Sequence, residues 1–140
     1  MSRYLVCAVL AAFFFAVVGP TQALAQRKKV EIVKKWSGSV EDEKAIKPEV
    51  ITSTKGLEAV WKAWKIQEEM PKIDFTKQII VATYSVGSRL NLSAANLDDK
   101  GDLQVIGFGT RDIRPGFRYV LGLVSSEGVK TVNKKELPKE

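Results

Sequence analysis

Hydrophobic side chains recur at helical spacing in the segment that follows the Ser-Thr pair at 53–54. Steps of three and four residues place one apolar stripe on a helix, and this stripe consists of Leu57, Val60, Trp61 and Trp64. A side-chain oxygen of the Ser-Thr pair is suited to cap the first turn. The pattern therefore predicts one amphipathic helix whose tryptophans face the core, with a ligand-stacking platform as the alternative.

After Pro71, which a helix interior does not accommodate, the pattern changes to short apolar runs separated by turn residues. With two candidates before the helix, the expected strands are 30–40, 50–51, 79–84, 90–94, 103–106, 117–124 and 129–132. A bulge or bend is expected at Ser37-Gly38-Ser39. Short turns favour antiparallel pairing. The predicted fold class is α+β, an antiparallel β-sheet (a meander, with strong curvature as an option) packed against one main α-helix.

The first 25 residues have the pattern of a secretory signal peptide. Arg3 precedes the apolar run Leu5–Val18, and Ala23-Leu24-Ala25 has the small-x-small form of a cleavage site. The run is shorter than the roughly twenty residues of a transmembrane helix. We expect export to the periplasm or the medium and no transmembrane segment in the mature chain. An uncleaved N-terminal anchor is the alternative.

The remainder, residues 26–140, is expected to form one globular domain with flexible ends at 27–29 and from Lys134 onward. Cys7 is the only cysteine of the chain and lies in the predicted signal, so disulfides cannot stabilise this domain. Arg3 is the only charged residue before 26, so the net charge falls from +6 to +5 on cleavage. A moderate excess of this kind favours anionic surface polymers. It lacks the dense basic stripe of nucleic-acid binders, and nucleic acid is not expected as a partner.

Missing residue types exclude several kinds of active site. The chain has no histidine, which removes histidine-based catalytic triads. Without histidine or a mature cysteine, ordinary zinc and copper sites are not expected either. No phosphate-binding glycine loop is present. We therefore predict no cofactor, no metal and no catalytic residues, and keep a histidine-free hydrolase that uses Asp74 and Asp112 as a minor hypothesis.

Two groups of carboxylates have a structural interpretation. Asp98, Asp99 and Asp102 surround Lys100 at a spacing unlike that of a calcium loop, which favours a solvated hairpin turn. Asp74 precedes Phe75, where an Asx-turn or a cap is expected. Phe75 itself is expected to be tucked into the core.

The loop 109–116 is the first candidate for binding. Arg111, Asp112 and Arg114 lie in it, and Arg118 follows in the next strand. Guanidinium groups suit carboxylate or phosphate partners, and loops held by a rigid sheet often carry binding residues. The alternative is that Asp112 pairs with a neighbouring arginine and the loop is merely solvated.

The segment Pro71-x-Ile73-Asp74-Phe75-Thr76-Lys77-Gln78, followed by Ile-Ile-Val-Ala at 79–82, resembles the P-x-[VI]-D-F-[ST]-K segment and strand of the PrcB-like domain. The tryptophan-bearing helix and the Pro-Gly pair at 115–116 also match this family's pattern. Residues 87–90 depart from its T-G-G-Y-like turn. The ending 128–133 is similar to that of a group of small secreted bacterial proteins. The resemblance implies binding to a surface protease complex and supplies no catalytic positions.

The leading hypothesis is a secreted or periplasmic protein-binding accessory module. It would engage a protein partner of the cell envelope through an exposed sheet edge or through the 111–114 loop. Electrostatic attachment to an envelope polyanion is the second hypothesis.

Overall fold

The computed structural model describes residues 26–139, so the predicted signal peptide lies outside the described residues. The elements, in chain order, are β1 (Lys28–Val30), β2 (Lys34–Val40), β3 (Val50–Ile51), α1 (Thr54–Ala63), β4 (Gln78–Ser85), β5 (Leu90–Leu97), β6 (Asp102–Gly109), β7 (Phe117–Ser125), β8 (Thr131–Val132) and β9 (Lys135–Glu136). The described chain is thus mostly strand, with a single short helix.

Helix α1 forms where the apolar spacing predicts it. The Ser53 hydroxyl caps its first turn by accepting a hydrogen bond from the Gly56 N–H at 2.9 Å. Its predicted apolar stripe is buried: Leu57, Val60, Trp61 and Trp64. No helix within residues 26–139 is long and apolar enough to cross a membrane.

The strands form two sheets, ordered β2-β7-β4-β3 and β1-β5-β6-β8-β9. All neighbours are antiparallel except β6 and β8, which are parallel. Helix α1 covers one face of the four-stranded sheet, and the five-stranded sheet covers the other. The antiparallel strands and the single helix confirm the coarser prediction. The meander is divided, because β4 and β7 pair with each other while the β5–β6 hairpin between them belongs to the second sheet.

Strands β4 and β7 form the middle of this three-layer arrangement. Ile80 and Leu121 point to the helix side, whereas Val81, Val120 and Val124 point to the second sheet. A strand that is buried on both faces has no polar side, which is why β4 and β7 read as continuous apolar runs.

The N-terminal strand differs from its prediction. Residues 27–29 were expected to be flexible, but β1 pairs with the end of β5, with Lys28 opposite Leu97. The expected continuous strand 30–40 is broken at 31–33, where the chain leaves one sheet and enters the other. The predicted bulge at Ser37-Gly38-Ser39 is also wrong, since β2 keeps its register against β7 throughout. A register shift occurs instead in β5, between Leu92 and Ala94.

The C-terminal segment is ordered as well, in contrast to the predicted frayed tail from Lys134. Strand β9 pairs with β8, and Asn133 and Lys134 make the turn in the left-handed region, at φ 48° and 66°. The buried Asp102 carboxylate accepts hydrogen bonds from the Thr131 hydroxyl and the Lys134 N–H, both at 2.7 Å. Lys135 forms an ion pair with Glu49. These contacts hold the last hairpin against the second sheet.

Candidate functional site

The two predicted core tryptophans are buried, at 7% exposure for Trp61 and 5% for Trp64. Their indole N–H groups donate to the carbonyls of Glu68 and Ile46, at 2.9 and 2.8 Å. A ligand-stacking platform needs an open ring face. The arrangement therefore favours the core role over the stacking alternative.

Asp74 makes the expected Asx-turn. Its Oδ1 accepts hydrogen bonds from the Thr76 hydroxyl and from the Thr76 N–H, the latter at 3.1 Å. The Thr76 hydroxyl, and then its N–H, hold the pKa of Asp74 below the ordinary value. Phe75 is half-buried and packs against the core between the helix and its sheet.

Asp112 ties the 109–116 loop to the β4–β5 turn. Its Oδ1 accepts hydrogen bonds from the Ser88 N–H at 3.0 Å and the Ser88 hydroxyl at 3.1 Å. Its Oδ2 pairs with Nε of Arg114 at 3.1 Å. These hydrogen bonds, and first of all the one from the Ser88 N–H, hold the pKa of Asp112 far below its usual range. The pairing with a neighbouring arginine is thus present, and Asp112 positions the loop.

The other two predicted binding arginines differ from each other. Arg118 is half-buried and donates to the carbonyls of Gly87 and Pro115, at 3.0 and 2.7 Å. Arg111 is exposed, and no described residue pairs with its side chain. The four predicted residues therefore do not form one cluster of free charges, because Asp112, Arg114 and Arg118 mainly fix the loop.

An open cleft of about 840 Å³ lies beside this loop, where the ends of the two sheets meet. We call it the edge cleft. The β2 segment 37–39 lines it, as does the segment 88–91 at the start of β5. Phe108, Gly109 and Thr110 line it from the end of β6, and β7 contributes Arg118 and Tyr119.

The lining of the edge cleft is basic. It includes Arg89 and Arg118 and no carboxylate residue. Two hydrogen bonds hold the backbone of Arg89. Its N–H donates to the Thr110 hydroxyl at 3.1 Å, and its carbonyl accepts from the Thr110 N–H at 3.0 Å. Within residues 26–139, however, the Arg89 guanidinium has no hydrogen-bond or ion-pair partner. The cleft therefore presents two arginines without a carboxylate partner, and of these only the Arg89 guanidinium is also free of hydrogen bonds to described residues.

Two free strand edges border the edge cleft. Strand β2 is the outermost strand of its sheet, and β1 covers β5 only from Ala95 to Leu97. In the uncovered part of β5, the Lys35 ammonium donates to the Leu92 carbonyl at 2.6 Å. A lysine at the edge of a sheet commonly prevents the pairing of a further strand. The β5 edge is thus partly occupied, whereas no described residue bonds to the outer side of β2 at 37–39.

Exposed apolar side chains gather at the same end of the molecule. Val86, Phe108 and Ile113 are 54%, 65% and 84% exposed. The Arg114 N–H donates to the Val86 carbonyl at 2.8 Å, which places the two loops that carry Val86 and Ile113 side by side. We call these three side chains and the edge cleft together the cleft end.

The two carboxylates of the hydrolase hypothesis, Asp74 and Asp112, lie far apart. Asp74 precedes β4 and Asp112 is bonded to the turn that follows it, so a strand of eight residues, about 25 Å long, separates them. Asp98 makes the expected turn by accepting from the N–H groups of Lys100 and Asp102, both at 2.9 Å. Asp102, expected to be solvated, is buried. No group of three or more potential metal ligands occurs among residues 26–139.

Comparisons of the chain with protein-family models, with curated proteins and with solved structures found no match. The function is therefore argued from the geometry of the cleft end. Sequence reasoning missed Arg89, Ser37, Ser39 and Phe108 as candidates. No motif marks them, since Ser37 and Arg89 lie far apart in the sequence and only the two-sheet packing brings them to one cleft.

Proposed function

We propose that this protein is an exported binding module that holds a protein partner at the cleft end. The observation that carries the proposal is the coincidence there of an open cleft, free strand edges, an unneutralised Arg89 and three exposed apolar side chains. Arginine and aromatic residues are enriched in protein interfaces. Exposed apolar side chains that cluster beside such residues are typical of an interaction site.

The sequence pattern of a signal peptide supports export, so the expected partner is a protein of the periplasm or of the medium. The resemblance to the PrcB-like domain gives the proposal a more specific form, in which the module is an accessory protein of a surface protease complex. The geometry supports binding rather than bond cleavage, since Asp112 is tied to the loop and the other titratable side chains at the cleft end are arginines and the buried Tyr119. The partner closes over the cleft and buries the apolar rim.

Site-specific photocrosslinking tests this proposal. A photoreactive phenylalanine analogue replaces Phe108 in the full-length protein, produced in its native cells. We expect a discrete covalent adduct with one envelope protein after irradiation, because a partner seated on the cleft end lies within reach of position 108. Purified partner must then bind the purified wild-type protein directly.

The matched control places the same analogue at Val33, which is 60% exposed and lies between β1 and β2, away from the cleft end. The control is expected to give no adduct of that size. Equal adducts at both positions, or an adduct at neither, would contradict the proposed function.

A further inference from the structure

We infer that the edge cleft takes an extended acidic segment of the partner, which adds as a strand to the outer edge of β2 while Arg89 pairs with one of its carboxylates. This inference rests on the proposed function and specifies its binding mode and its ligand chemistry. Neither feature follows from the 111–114 loop that the sequence singled out.

The free edge of β2 supplies the main-chain part of the recognition. An edge strand exposes alternate N–H and C=O groups, which an extended peptide can pair with. The side chains of β2 that border the cleft are small, Ser37 and Ser39, whereas the space over Gly38 between them is taken by Tyr119, whose hydroxyl would lie 2.6 Å from a Cβ there. Small side chains allow another backbone to approach closely. The β2 edge therefore offers room as well as unpaired hydrogen-bonding groups.

The choice of β2 over β5 follows from Lys35. Its ammonium group already donates to the Leu92 carbonyl, on the part of the β5 edge that β1 leaves uncovered. A strand added to β5 would have to displace this hydrogen bond. A strand added to β2 displaces nothing that the described residues contribute.

The acidic character of the ligand follows from charge. Arg89 and Arg118 line the cleft without any carboxylate, and Arg111 and Arg114 lie on the adjacent loop with Asp112 as their only acidic neighbour in that loop. Arg118 already donates to two backbone carbonyls, which leaves the Arg89 guanidinium as the available fork. A guanidinium binds a carboxylate through two parallel hydrogen bonds. Basic segments would be repelled by the same group.

Selection from a phage-displayed library of random octapeptides tests the inference. Peptides retained by the full-length wild-type protein are expected to be enriched in Asp and Glu over the unselected library. Arg89→Glu is expected to reverse the preference, so that Lys and Arg are enriched instead. Lys62→Glu makes the same charge change on the exposed side of helix α1 and is expected to leave the acidic preference unchanged.

A selected acidic peptide is then measured in solution. Arg89→Ala is expected to raise its Kd by about tenfold or more, since a hydrogen bond to a charged group is worth about 1.5–3 kcal/mol. Hydrogen exchange of the amides in 37–40 is expected to slow when the peptide binds. Two methylated peptides are also compared, one with methyl groups on the odd-numbered backbone nitrogens and one with them on the even-numbered ones. Methylation removes hydrogen-bond donors without changing charge. Only the peptide whose methylated nitrogens face β2 is expected to lose binding.

Each contrary outcome overturns a stated part of the inference. Selection of neutral sequences, or of the same acidic sequences by Arg89→Glu, overturns the role of Arg89. Full binding by both methylated peptides, or unchanged exchange at 37–40, overturns the strand addition. Failure to select any peptide overturns the inference as a whole. The crosslink at position 108 is independent of these results and decides the proposed function separately.

Discussion

Trp64 joins three parts of the structure through one side chain. Its ring lies 4.5 Å from that of Tyr119 and 5.8 Å from that of Phe117, both on β7. Tyr84 of β4 meets it edge-on at 5.9 Å. The indole N–H satisfies the Ile46 carbonyl in the segment before the helix. A residue at the end of α1 thus fixes the helix, its sheet and the preceding loop relative to one another.

Asp112 works at the surface, through hydrogen bonds rather than burial. Its low pKa, caused first by the Ser88 N–H, means that folding favours the ionised form. The resulting stabilisation is complete above the ordinary pKa of 3.8 and is lost as the pH falls through the lower folded value. The loop that borders the edge cleft is therefore expected to loosen in acid.

We predict that Asp112→Asn lowers the Tm at pH 7 and that the difference from wild type narrows as the pH falls below 3.8. Thermal unfolding followed by circular dichroism between pH 2 and 7 measures this. Asp99→Asn serves as the control, because Asp99 is exposed and makes no side-chain hydrogen bond to a described residue. A constant Tm difference across the whole range would show that the Asp112 charge does not hold the loop.

At the scale of elements, the close approach of the two sheets depends on small residues. Gly107 of β6 lies over Thr83 of β4, and a Cβ at Gly107 would come within 2.5 Å of the Thr83 Oγ1 and 3.0 Å of its Cγ2. This contact is next to the edge cleft and sets the spacing of the sheets there. Gly109, which lines the cleft, approaches Ser85 of β4 in the same way, since a Cβ there would lie 2.5 Å from the Ser85 hydroxyl. The spacing of the two sheets beside the cleft thus depends on glycines of β6.

We predict that Gly107→Ala lowers the free energy of unfolding by about 1–3 kcal/mol, as is usual for overpacking of a tight interior contact. Urea denaturation measures the change. In the Thr83→Ala background, where the two nearest side-chain atoms are removed, the same substitution is expected to cost less. An equal cost in both backgrounds would show that Thr83 is not the obstacle.

At the scale of the whole molecule, the last hairpin completes the five-stranded sheet. Asp102, at the start of β6, is 8% exposed. Its carboxylate accepts hydrogen bonds from Thr131 of β8 and from Lys134, which directly precedes β9. Val132 of β8 is 1% exposed in the core between the sheets. The C-terminal residues are thus part of the five-stranded sheet, although their charge predicts a frayed tail.

We predict that a chain ending at Asn133 is less stable than the full chain by about 1–3 kcal/mol. The Lys134 N–H is then lost, and the buried Asp102 carboxylate is left partly unpaired. Urea denaturation compares it with a control chain that ends at Pro138 and keeps β9 intact. Equal stability of the two shortened chains would show that residues 134–138 of the last hairpin do not stabilise the fold.

Local patterns predicted the elements better than their arrangement. The spacing of Leu57 to Trp64 placed the helix, and Asp74 with Thr76 made the expected turn, because both depend on residues within a few positions of one another. Arg111 to Arg118 were singled out for the same local reason. Arg89 was not singled out, because no local pattern marks it. Its importance comes from the cleft, which four separate parts of the chain build without a carboxylate.

The sequence by itself determined the single helix, its buried face and the approximate positions of most strands, because hydrophobic periodicity reflects which side of each element packs against a core. Only the tertiary structure decided which strands share a sheet. Strands β4 and β7 are apolar on both faces, so their pattern does not distinguish the neighbour that covers each side. The edge cleft, its free β2 edge and the unneutralised Arg89 arise from that division of the strands between two sheets.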